Sequence, residues 1–95
     1  MTVVVINKNY IEISGHSGYA PIGYDIVCAA ISTLSINTAN CLQATGNDVK
    51  ILTDNGYMII HLEKINKTGK RIIKCFEKEL EDIITDYPKY IRRKK

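Results

Sequence analysis

Several things are scarce in this chain, and each scarcity narrows what it can be. It has three cysteines, an odd number, and no Cys-x-x-Cys pair. That argues against both a disulfide framework and a zinc site. Cys28 and Cys41 stand 13 residues apart; at about 100° per residue on one helix they point in well-separated directions. No metal or other cofactor is therefore expected. No run of about 18 apolar residues stands out as a membrane span. The opening Met1-Thr2-Val3-Val4-Val5-Ile6 reaches Asn7 and Lys8 too soon for a signal peptide and has no basic leader. A cytoplasmic location, with no membrane partner, is the expectation. Low-complexity segments are missing, and the only internal echo is a strand–strand–helix pattern that occurs twice.

What is present fits one domain spanning residues 1–95, with 45% hydrophobic and 24% charged residues. So short a chain buries a modest core, and dimerisation would enlarge it. The net charge of +3 is unevenly placed, because Lys89, Arg92, Arg93, Lys94 and Lys95 all follow Pro88. Residues 1–88 carry 8 basic and 10 acidic side chains, a net of −2. A basic tail over 89–95 on a slightly acidic body reads either as a ribosome or RNA contact or as a solvated, frayed end.

Thr2–Lys8 is β-branched nearly throughout and Tyr10–Gly15 alternates, so both read as strands around an Asn7-Lys8-Asn9 turn. Val49–Asp54 and Tyr57–Glu63 form a second hairpin about Asn55-Gly56. A first helix is predicted from Asp25, a good N-cap, to Ala44, with Gly46-Asn47 as its stop. It is rich in small residues, among them Ala29, Ala30, Ser32 and Ser35. A second helix is predicted from Gly69 to Tyr87, with Ile72, Ile73, Phe76, Leu80, Ile83 and Ile84 on one stripe and Pro88 ending it. The order ββαββα predicts an α+β fold, a two-layer sandwich: a four-stranded, mainly antiparallel sheet with two helices on one face.

The segment Gly15-His16-Ser17-Gly18-Tyr19-Ala20-Pro21-Ile22-Gly23-Tyr24-Asp25-Ile26-Val27-Cys28 joins a histidine at a strand end to a cysteine in the first turn of a helix. The thiolate is the nucleophilic form of cysteine, and a helix N-terminus and a neighbouring imidazole both favour it. Cys28 has both within reach, and His16 can fold back as a general base and then protonate a leaving amine. Gly15, Gly18, Pro21 and Gly23 make a loop suited to covering a substrate. Tyr19, Ile22 and Tyr24 would set apolar surface beside the thiol. Gly18-x-x-x-x-Gly23 also has the glycine spacing of a phosphate-binding loop, but Tyr24 and Asp25 stand where Lys and Ser or Thr are needed. An aspartate at the helix mouth would repel phosphate.

Asp25 admits two readings: helix cap only, or cap and orienting acid for His16. The two compete for its oxygens, and a cap that takes the Cys28 amide removes that amide from any oxyanion hole. Strand alternation adds a difficulty. His16 shares parity with Glu12 and Ser14, away from the helix layer, unless Gly15 ends the strand or introduces a bulge. Cys41 and Cys75 read as packing residues, and His61, mid-strand beside Tyr57 and Ile59, as a surface or dimer-face side chain.

Gly15-His16, a glycine-bearing loop, Gly23-x-Asp25-Ile26-Val27-Cys28-Ala29 and a small-residue helix containing Ser32 together resemble the ribosomal-processing cysteine proteases (Prp) of bacteria. The twelve-residue interval from His16 to Cys28 agrees with that family. The resemblance implies a homodimeric endopeptidase with a Cys–His dyad that removes a short N-terminal extension from a large-subunit ribosomal protein. Cys28 would be its nucleophile, His16 its base and Asp25 a supporting acid. The loop Ser17–Tyr24, with Gly18 and Gly23, would be the segment that closes over substrate. The rival reading is a non-catalytic module that binds ribosome or RNA through the basic tail.

Overall fold

The computed structural model describes residues 1–21 and 23–94. Two antiparallel strands, β1 (Thr2–Ile6) and β2 (Tyr10–Ser14), precede helix α1 (Ile26–Ala44). A second hairpin, β3 (Asp48–Asp54) and β4 (Tyr57–Lys64), leads into helix α2 (Lys67–Asp86), and strand β5 (Ile91–Lys94) follows. The sheet order is β3-β4-β2-β1-β5. All neighbours are antiparallel except β1 and β5, which run parallel.

Each local signal has a visible physical counterpart. The side chain of Asn7 accepts from the amides of Asn9 and Tyr10 and closes the first hairpin. Asp25 caps α1, and Gly46, at φ +85°, turns the chain out of it. Asn66 caps α2 through the Gly69 amide at 2.8 Å. Asn47 is buried because it ties these parts together, donating to the Leu42 carbonyl and accepting from the Asn66 amide.

Alternation puts Val4, Ile11, Ile13, Ile60 and Leu62 on the helix-facing side of the sheet, where they meet Val27, Ile31, Leu42, Phe76 and Leu80 in one core. The other face is uncovered. It carries Val3, Val5 and Ile59, half-buried, with Leu52 and Tyr57 exposed. His61 is half-buried there, opposite Tyr10 and Lys50. By length and composition alone α1, with a mean hydropathy of 1.2 and no Asp, Glu, Lys or Arg, is apolar enough to cross a membrane. The expectation that no such stretch exists is corrected on that point. Here α1 packs against the core through Val27, Ile31, Ala39 and Leu42, and the hydroxyls of Ser35 and Thr38 bond the carbonyls of Ile31 and Leu34.

Two further expectations are corrected. The sheet has five strands and is mixed, not four strands and mainly antiparallel, and residues 91–94 are its edge strand, not a tail. The reason lies in one side chain and one ion pair. Ile91 is fully buried, and Arg93, on the same face, meets Glu77 of α2 at 2.9 Å. Pro88 does stop the helix, but Tyr90 bonds back to Tyr87 and its carbonyl accepts from the Thr2 amide at 2.9 Å, which starts the parallel pairing. Arg92 and Lys94 are exposed on the open side and Lys89 in the turn, while Lys95 lies outside the described residues. Cys75 is exposed rather than packed, and Cys41 is half-buried.

Candidate active site

Gly15 ends β2 and settles the parity question. It takes φ +85°, and a Cβ there would stand 2.5 Å from the Met1 carbonyl oxygen, so the site tolerates no side chain. Its amide bonds the Gly56 carbonyl at 2.8 Å, which ties the end of β2 to the β3–β4 turn. Freed from strand alternation, His16 and Cys28 line the same two cavities. His16 itself is exposed and Cys28 is half-buried.

Asp25 organises the loop between them. One oxygen accepts from the amides of Val27 and Cys28, both at 2.9 Å. The other accepts from the Ser17 hydroxyl and from the amides of Tyr19 at 3.1 Å and Ala20 at 3.3 Å. Burial pushes this carboxyl up, but the hydrogen bonds from Ser17, Cys28, Ala20 and Val27 outweigh it and hold the group at about 2. Among the partners of Asp25, His16 does not figure. The carboxylate is a helix cap and a loop staple, and the Cys28 amide it occupies is withdrawn from oxyanion duty.

With Asp25 as N-cap, Cys28 is the third residue of α1, where the helix dipole favours an anion. The Ser17 amide points at its Sγ from 3.3 Å. Thus Ser17, 3% exposed, holds the acid with its hydroxyl and the sulfur with its backbone. No pattern marked it in advance, because an amide's direction has no signature in residue type.

The first cavity, about 470 Å³, is bounded by His16, Cys28 and Asp25 with Gly18, Pro21 and Gly23 of the loop. The second, about 290 Å³, shares His16, Cys28 and Ser32 with the first and has Ile13, Ile31 and Met58 in its wall. The loop tyrosines are placed differently from the expectation. Tyr19 meets Tyr87 and Tyr90 edge-on, with ring centres 5.6 and 5.2 Å away, because the loop folds over the end of α2. Tyr24 is 81% exposed, and Ile22 lies outside the described residues. The first cavity's apolar lining comes instead from Ala20, Pro21 and Ala29.

A profile of the family described as cysteine protease Prp matches residues 1–92. The chain belongs to the cysteine protease Prp family. It is accordingly a cysteine protease, and the Prp resemblance seen in residues 15–30 extends to nearly the whole sequence. The fold agrees. The S. aureus ribosomal processing protease Prp, solved with a covalently linked product peptide, has a TM-score of 0.83 at 22% identity, over 97% of this chain and 94% of that one. The same S. aureus protease with a substrate peptide gives 0.74 at 20% identity, over 98% and 95%. A third structure, SMU.848 from Streptococcus mutans, gives 0.74 at 27% identity, over 98% and 90%. Among curated proteins the sequence finds no match.

Proposed function

We propose that this protease is an endopeptidase that removes the N-terminal extension of a large-subunit ribosomal protein during ribosome assembly, using Cys28 as nucleophile and His16 as its acid–base partner. One observation carries the dyad: Cys28 Sγ sits at the mouth of α1 under the Ser17 amide and shares both its cavities with the His16 ring. The substrate class rests on the S. aureus protease with the same fold, which is described as a ribosomal processing protease and was solved with peptides.

In this reading His16 takes the thiol proton and the thiolate adds to the scissile carbonyl carbon. Collapse of the tetrahedral adduct breaks the C–N bond as His16 returns the proton to the leaving amine. Water, deprotonated by the same imidazole, then releases the acyl group. Asp25 supports the chemistry indirectly, by holding Ser17 and the loop rather than by touching the base. Oxyanion donors come from the glycine loop, since the Cys28 amide is engaged. The active species is a homodimer and works in the cytoplasm. The exposed Lys89, Arg92 and Lys94 give a basic edge for an accessory ribosome or RNA contact.

The test is intact-mass analysis of the extended ribosomal-protein precursor after incubation with wild type and with Cys28→Ser. A single cut by wild type alone is expected. A cut by the serine variant, or none by folded and reduced wild type, would overturn the reading.

A further inference from the structure

The tip of the β3–β4 hairpin, Asn55-Gly56, belongs to neither the loop nor the helix that present the dyad. Yet it meets both His16 and the residue before it. The Gly56 carbonyl accepts from the amide of Gly15, the residue before the histidine, at 2.8 Å. The His16 ring itself lies over the Gly56 Cα. A Cβ built there would stand 2.9 Å from Nε2, 3.3 Å from Cδ2 and 3.4 Å from Cε1. Three ring atoms in that range mean that the imidazole rests flat in the space a side chain would fill. At φ +67° Gly56 also meets the turn's own requirement, but that requirement admits asparagine as well. The ring contact does not.

We infer that Gly56 is a positioning residue for His16: the hairpin tip is the seat that aims the imidazole at Cys28. This rests on His16 being the acid–base partner of Cys28. The colliding atoms belong to the far end of an exposed side chain, so an added Cβ displaces the ring and leaves the backbone in place. The consequence is a loss of rate more than of stability. Misplacing a reacting group by about 1 Å can cost about 10²-fold.

The experiment compares Gly56→Asn with Gly46→Asn. Gly46 shares a positive φ, +85°, but a Cβ there meets only Asn66 Nδ2 at 3.8 Å, so this variant reports the backbone cost alone. Both variants are examined in wild-type and His16→Ala backgrounds. Readouts are kcat and KM on the precursor, and the pH dependence of Cys28 alkylation by iodoacetamide, resolved from Cys41 and Cys75 by peptide mapping. Alkylation needs no substrate. Gly56→Asn should lower kcat about 10²-fold with KM nearly unchanged, and should shift the alkylation profile towards that of His16→Ala. It should add nothing once His16 is gone, and Gly46→Asn should match wild type. Full activity in Gly56→Asn beside an inactive His16→Ala would overturn the inference and leave the dyad standing. So would an equal effect of Gly56→Asn in both backgrounds, since it would then act without the ring. Full activity in His16→Ala would overturn the dyad itself, and the inference with it.

Discussion

Both oxygens of Asp25 are engaged by five donors drawn from Ser17, Tyr19, Ala20, Val27 and Cys28. This single side chain therefore starts the helix and folds the loop that faces it. Its folded pKa of about 2 lies below its ordinary 3.8, so the ionised form favours the fold. The contribution is complete above about pH 4 and lost as pH falls through about 2. Asp25→Ala should cost about 1–2 kcal/mol at neutral pH, the usual loss for an N-cap. Asp25→Asn, which can still accept hydrogen bonds, should cost less there and flatten the dependence between pH 4 and 2. Urea midpoints measured across that range check both. At this scale Asp25 was legible as a helix cap and His16 and Cys28 as candidates, because caps, thiolates and imidazoles have chemistry that spacing can reveal. That Asp25 ignores His16 was not legible, since it depends on where five donors point. The role of Ser17 and the ring contact at Gly56 were hidden for the same reason.

The elements themselves were legible to within one or two residues where a hydrophobic period and a stop signal coincide, as in the Asn55-Gly56 hairpin and in α1 between Asp25 and Gly46. β5 is the exception. Its four residues hold one apolar side chain among Arg92, Arg93 and Lys94, and composition reads that as a solvated end. The pairing that makes it a strand comes from β1, distant in sequence, and no local pattern announces such a partner. Ile91 is fully buried. Ile91→Ala should accordingly destabilise the protein by about 2–5 kcal/mol, checked by thermal unfolding, whereas neutralising Arg92 should change stability little. Removing residues 89–95 to test for an RNA contact would take away a strand, so charge reversal at Lys89, Arg92 and Lys94 is the cleaner probe.

Across the whole molecule one sheet face is covered by helices and the other is not, and the uncovered one carries Val3, Val5, Leu52 and Ile59. A second copy would enlarge the small core that 95 residues can supply. For the proposed homodimer, sedimentation equilibrium should give about twice the 10.7 kDa chain mass, and a radius of gyration clearly above the 12.8 Å of one chain. A particle of chain mass at micromolar concentration would count against it.

The pairing of β1 with β5 has a consequence in time. β1 is made well before β5 and waits for it, and the Tyr19 loop waits with it for Tyr87 and Tyr90. At about 5–20 residues per second the interval is several seconds. During it His16 and Cys28 are already outside, but the loop between them lacks the two rings that Tyr19 packs against. Cleavage by a newly made chain should therefore lag behind its synthesis, because the loop beside the thiol is not closed until the C-terminal segment is in place.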